Sequence, residues 1–280
     1  MTDSTDILGR REEAADVCAL PLVRRLAALL DRDPAGFRPG DDLPQGWHMI
    51  LFTAETPQSA LGPDGHPAVG GFAGPASLPR RMLGGRRIRF GGPVRIGAEV
   101  RRVSEVVGFE EKQGRSGRLA VVTLRHSIFE AGQIAAAVIE EQDVIYREAA
   151  GQGGEVSQAA APEPERPAPS HIQTLTPDPV LLFRYSAVTF NAHRIHYDQP
   201  YTTGQEGYPG LIVNGGLTAL LLLELCKEAA GRPLADMKVR NRRPLICGNP
   251  IRLCASPAAD GWALWAEDAQ GRMALEASAA

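Results

Sequence analysis

Apolar and polar positions alternate in short runs along most of this chain, which predicts strands, and the exceptions predict its helices and its linker. Near the start, Ala14, Val17, Cys18, Leu22, Leu26 and Leu29 recur at three- and four-residue steps, the spacing of one helix face. Pro21 falls inside that run and is expected to kink or divide the helix. Residues 47–52 read as a second short helix, and a stretch dense in Gly and Pro follows over 62–79. Strand-like runs come next, over 86–90, 99–107, 119–129 and 133–146, with turns at 114–117 and Ala131-Gly132. A further strand is expected over 180–190, and then a long loop, 191–214. Residues 217–230 are apolar on almost every side, through Leu217, Leu220, Leu221, Leu222, Leu223 and Leu225, so this helix should be buried. Gly231 stops it and Pro233 follows. Strand-like pieces at 237–243, 251–256 and 262–277, the last turning at Ala269-Gln270-Gly271, complete the chain. Each half therefore reads as a helix wrapped by an antiparallel sheet, an α+β fold and not a doubly wound one.

Residues 149–170 hold almost no large apolar side chain and are rich in Ala, Pro, Gly and Glu. Such a stretch buries too little surface to offset its ordering entropy, and it reads as a flexible linker. It separates an N-terminal domain, 1–148, from a C-terminal one, 171–280, as the length of 280 residues suggests. With 44% hydrophobic and 22% charged residues the composition is that of a globular protein. No apolar run approaches the roughly 18–20 residues that span a membrane, and residues 1–11 have no signal-peptide core. A net charge of −3 gives no global reason to bind nucleic acid or a membrane surface. Cys18, Cys226, Cys247 and Cys254 are scattered without a CxxC pair, which argues against a disulfide scaffold or zinc ribbon and for a reducing cytoplasm.

The chemistry concentrates in residues 183–198, where an apolar run ends in Asn191, His193, His196 and Asp198. Amide, imidazole and carboxylate groups thus reach one short loop. A strand, a polar loop ending in His, a glycine opening a buried helix and then antiparallel strands resemble the hot-dog fold of MaoC-like enoyl-CoA hydratases. Their loop motif, Asp-x-Asn-Pro-x-His, is matched here by Asn191, His193, Arg194 and His196, and their Val-His-Gly by Val213-Asn214-Gly215. The closer resemblance is to the double hot-dog branch that contains itaconyl-CoA and mesaconyl-C4-CoA hydratases and mitochondrial-type 3-hydroxyacyl-thioester dehydratases. It is carried by residues 189–198 and 206–211, and in the first half by Asp64-Gly65-His66-Pro67, by Leu78-Pro79-Arg80-Arg81-Met82 and by 114–117. Two departures stand out. Asn191 replaces the wider family's catalytic Asp, and Asn214, followed by Gly216, replaces a His followed by Pro or Met.

The resemblance implies a lyase that hydrates a short branched dicarboxylic enoyl-CoA of itaconate degradation toward citramalyl-CoA, with no cofactor and no metal. Its partners are then an acyl-CoA substrate and, because sheet edges need covering, a second copy of the chain in a homodimer. His196 is the expected proton-transfer group, since imidazole titrates near working pH; a buried core histidine is the plain reading. Asn191 either orients the water or ends the strand in a turn, and His193 either bonds His196 or shapes the loop. The Gly215 N–H at the helix start either stabilises the thioester oxygen or only permits close packing. Arg80, Arg81, Arg86, Arg87 and Arg89 in the first half, and Lys238, Arg240, Arg242 and Arg243 in the second, offer donors for phosphates and a free carboxylate. One of Arg80 and Arg81 is preferred at the substrate, joined by Arg194, Tyr197, Tyr208 and Asn214; His66 is read as a turn residue. Rival readings are a metal site of His193, His196 and Asp198, a fatty-acid-synthesis dehydratase acting on acyl carrier protein, and a non-catalytic acyl-thioester binding module.

Overall fold

The structure, a computed structural model, describes residues 7–67, 78, 80–114, 117–148, 163 and 166–280. The first half supplies β1 (Arg11–Val17), α1 (Leu20–Leu29), β2 (Arg80–Phe90), β3 (Glu99–Gly114), β4 (Gly117–Glu130) and β5 (Val138–Arg147). The second supplies β6 (His171–Leu175), α2 (Pro179–Val188), α3 (Gln199–Gly204), α4 (Gly215–Ala230), β7 (Asp236–Asn241), β8 (Ile251–Ala258), β9 (Gly261–Glu267) and β10 (Met273–Ala279). All the strands join in one antiparallel sheet, ordered β1-β3-β4-β5-β2-β7-β10-β9-β8-β6. The order contains a repeat. Read inward from its own end, each half runs first, third, fourth, fifth and second strand, and the two second strands, β2 and β7, pair at the centre. This is the double hot-dog arrangement.

The central helix is α4, which packs on β6, β7, β8, β9 and β10. Leu217, Leu220, Leu222 and Leu223 are almost wholly buried there, against Ile251, Leu253, Leu264 and Ala274 in the same core. Gly231 takes a left-handed φ of 62° to end the helix, which a side chain would resist. In the first half the described helices are shorter: α1, which packs on α2, and single turns at Pro34–Gly36, Trp47–Ile50 and Gln58–Ala60. No described helix is long and apolar enough to cross a membrane. The four cysteines are free, and burial pushes the thiols of Cys18, Cys226 and Cys254 up to about 11, so they stay protonated and unreactive.

Several elements differ from the sequence reading. The expected helix over 14–29 divides: residues up to Val17 pair with β3 as an edge strand, and only then does α1 begin. Pro21 sits in the first turn of α1, where its missing N–H costs nothing, and kinks nothing. The expected strand over 180–190 is a helix, α2. Asp178 caps it by accepting from the Leu181 N–H at 2.8 Å, Pro179 starts it, and Leu182, Tyr185, Ser186 and Val188 face inward. β6 is an edge strand that the sequence reading left out. Most of the expected linker, 149–162 with 164 and 165, lies outside the described residues. Its described residues are tied to the second half: Glu163 accepts from Arg243 and from the Met273 N–H, and Arg166 donates to Glu267 and Gly271.

Candidate active site

The loop after α2 is built by local hydrogen bonds. Phe190 turns the chain at a left-handed φ of 48°, and the Asn191 N–H closes the helix on Ser186 O at 2.7 Å. Asn191 Oδ1 then accepts the His193 N–H at 3.0 Å, an Asx turn. Asn191 thus does the work of a turn residue, and its amide NH2 group remains for other partners. Asp198 caps α3 through the Tyr201 N–H at 3.0 Å and receives the guanidinium of Arg194 at 2.7 Å. The Tyr201 N–H, and then Arg194, hold the Asp198 carboxyl below its usual range. A helix cap in an ion pair is not poised as a metal ligand. Arg194 also donates to Pro63 O and lies over the Tyr201 ring, so its donors are spent inside the protein. Tyr197 donates to Ala192 O at 3.0 Å from an exposed position, and the Tyr208 N–H bonds Thr202 O. These three hold the loop's shape.

His196 is buried, 7% exposed, and its Nδ1 lies 2.8 Å from Ile212 O. A carbonyl only accepts, so Nδ1 carries the proton and Nε2 is left bare in the neutral ring. Burial pushes the His196 pKa down to about 4, and the bond to Ile212 offsets this only in part. His193 stands edge-on to His196, with ring centroids 5.5 Å apart. It is also pushed down to about 4, first by burial, then by His196 and Arg81. Both rings are therefore neutral at pH 7, the form that accepts a proton. The sign is that of a depressed group: neutrality persists well below the ordinary histidine value of about 6.5 and is lost as pH falls toward 4. kcat/KM is expected to stay flat from pH 8 to about 5.5 and to fall below that. A buffer-matched pH series measures it, and half-maximal activity near 6.5 would contradict the assignment.

The bond to Ile212 also brings His196 to the chain that enters α4. Gly215 and Gly216 open that helix, and the N–H groups of its first turn have no acceptor within it. Asn214 precedes them. It is 2% exposed, and neither Oδ1 nor Nδ2 has a partner among the described residues. A Cβ on Gly216 would stand 2.5 Å from the Tyr185 hydroxyl, so the glycine makes room for α2. Behind this point lies a charged network the sequence reading did not join. Arg86 Nη1 is 3.2 Å from Glu140 Oε1, and Glu140 also receives Gln142 and His48, each at 2.9 Å. Burial alone would raise the Glu140 pKa, but Arg86 and His48 hold it well below the usual carboxylate range.

Three of the other basic side chains proposed from the sequence are already paired. Arg87 bonds Glu141 and Asp143, Arg242 bonds Glu276, and Arg243 bonds Glu163. Lys238 and Arg240 are exposed, alternating with the buried Met237 and Val239 of β7. They line an open groove of about 610 Å³ at the β2–β7 junction, whose lining residues do not include His196. The side chain of Arg80 lies outside the described residues. Arg81 differs from Lys238 and Arg240 in being partly buried. Its Nη2 is buried and has no partner among the described residues, and its charge falls on His193.

A group from the first half completes the site. Asp64 Oδ2 lies 2.9 Å from His66 Nδ1, and the His66 ring lies tilted against that of His193, with centroids 4.3 Å apart. Asp64 O accepts the Arg194 N–H at 3.0 Å. The ligand atoms of Asp64, His66 and His193 lie within 4.8 Å of one another, a spacing that suits a divalent cation; the Asp64 charge favours positive charge at His193 and the Arg81 charge opposes it. The motif Asp-Gly-His-Pro was visible in the sequence; its partner, far along the chain, was not.

Comparison with known proteins agrees with this geometry. Over 275 residues the chain is 44% identical to the mesaconyl-C(4)-CoA hydratase of Chloroflexus aurantiacus, covering 97% of this chain and 95% of that one. Among solved structures it is similar to a MaoC-like dehydratase from Phytophthora capsici, with a TM-score of 0.74 and 13% identity over 99% of this chain and 97% of that one. It is also similar to a Mycobacterium tuberculosis protein described as a double hot-dog fold, with a TM-score of 0.60 and 16% identity over 97% and 95%. At such identities these two show the fold alone. Residues 46–247, which hold β2 to α4, Asp64, His66 and the loop from Asn191 to Asp198, match the model of a family described as hydroxyacyl-thioester dehydratase type 2, and the chain belongs to that family.

Proposed function

We propose that this protein catalyses the reversible hydration of mesaconyl-C4-CoA to citramalyl-CoA. The observation that carries the reading is His196, a buried neutral imidazole with Nε2 bare, tied through Ile212 to the entrance of α4. Nε2 takes a proton from water as the water oxygen bonds the β-carbon. The electrons displaced toward the thioester oxygen are stabilised by the free N–H groups at Gly215 and Gly216, where the helix dipole is positive. The proton then returns to carbon. Asn191, its Oδ1 already spent, can hold the water through its NH2 group.

The substrate carries a carboxylate on the carbon that water attacks. A cation that reads it must therefore stand beside the catalytic loop, not at the far end of an acyl tunnel. Arg81, unpaired among the described residues and acting on His193, fits that requirement. Asn214, also unpaired there, would bond the acyl group. A non-catalytic binding module has no use for a fixed tautomer, which weighs against that alternative.

The purified protein should add one water to mesaconyl-C4-CoA, detected by mass spectrometry across a panel of enoyl-CoAs. Turnover of straight-chain enoyl-CoAs with none of the C5 diacid thioesters would reject this substrate and favour a fatty-acyl dehydratase.

A further inference from the structure

We propose that Asp64 and His66, contributed by the first half of the chain, form a working part of the proton machinery by orienting His193 and sharing the charge that builds on His196. The inference rests on the hydratase reading, but the geometry stands apart from it. Asn191 cannot itself carry a proton and its Oδ1 is committed to the His193 N–H, which leaves the proton steps to the buried imidazole of His196. The structure supplies a line of groups behind that imidazole. His196 meets His193 edge-on at 5.5 Å, His193 meets His66 at 4.3 Å, and the His66 Nδ1 meets Asp64 at 2.9 Å. The line runs outward from a buried ring to a pair whose side chains are 29% and 26% exposed.

The pair is held in place from both sides. Asp64 accepts the His66 backbone N–H through Oδ1 and the ring through Oδ2, which fixes the imidazole with its Nε2 edge free. Gly65, at a φ of 90°, lets this turn lie directly on the catalytic loop: a Cβ there would stand 1.9 Å from Ala192 O. The Arg194 backbone and side chain then clasp Asp64 O and Pro63 O. A turn needed only to reverse the chain has no reason to press an imidazole–carboxylate pair against His193. A carboxylate behind an imidazole orients the ring and offsets its positive charge, the logic of the hydrolase triads.

The proton balance closes. One O–H bond of water breaks as the C–O bond forms, and its proton goes to Nε2 of His196. The proton stays on His196, and the Asp64 carboxylate, held behind His66 and His193, offsets its positive charge. The proton returns through His196 to form the C–H bond at the α-carbon, so none is gained or lost over a turnover. His66 acts through His193 and is a positioning residue.

Steady-state kinetics of His66→Ala and Asp64→Asn test this on whichever enoyl-CoA the wild type hydrates. Both should lose kcat by about ten- to a hundredfold, the scale seen when a group behind a working imidazole is removed, with KM and thermal unfolding little changed. Added imidazole should restore part of kcat in His66→Ala, because that site opens to solvent, and none in His196→Ala. Undiminished kcat in either variant overturns the proposal, as does a loss in His66→Ala that imidazole leaves unrepaired. If the wild type hydrates no enoyl-CoA, the hydratase reading fails and this one fails with it.

Discussion

Replacing His196 by alanine is expected to lower kcat at least about a hundredfold, the minimum scale for removing a positioned general acid–base. No neighbour can take over. His193 is turned edge-on at 5.5 Å, Asn191 cannot carry a proton, and Asp198 is committed to the α3 cap and to Arg194. Alanine also leaves Ile212 O without the Nδ1–H that it accepts, so some stability is lost as well. The two effects separate experimentally. Circular dichroism and thermal unfolding report the second, whereas kcat under saturating substrate, measured well below the unfolding temperature, reports the first. A folded variant within tenfold of wild type would remove His196 from the mechanism.

Replacing Arg81 by methionine is expected to reduce kcat/KM for mesaconyl-C4-CoA on the order of a hundredfold or more, while crotonyl-CoA, which has no free carboxylate, is hydrated no worse than before. Truncating one member of a buried charge-assisted pair costs roughly 2–5 kcal/mol, and each 1.4 kcal/mol is tenfold. Methionine keeps the unbranched stem and removes only the donors. The Arg81 charge also lowers the His193 pKa, so the variant should move the acid limb of the pH profile upward. An equal loss on both substrates would make Arg81 a structural residue and return the carboxylate to one of the other arginines.

Much of the sheet was legible because its strands alternate, and α4 was legible because it is apolar on nearly all sides. The failures have physical causes. In α2 the residues Phe183, Tyr185, Val188 and Thr189 favour strands individually, and the Asp178-Pro179 start and the inward spacing of Leu182, Tyr185 and Ser186 overrode them. β1 and β6 are mostly exposed edge strands, so neither carries the alternation that marks a half-buried one. The candidate catalytic loop was readable because its groups lie close together in sequence. The contribution of Asp64 and His66 was not, since the contact with His193 exists only once the two halves have paired.

The pairing of β2 with β7 has a consequence for how the enzyme behaves at low abundance. Two hot-dog units on separate chains would meet at a rate and extent set by their concentration. Here one polypeptide carries both, so each unit sees its mate at an effective concentration that dilution cannot lower, of order millimolar for units on a short tether. Specific activity should then hold constant down to the smallest amount of protein that can be assayed. Covalent linkage also frees the two halves to diverge, because a change in one is no longer copied into the other. The second half carries the long helix α4 and the histidine loop, and the first contributes the Asp64 and His66 that press against that loop.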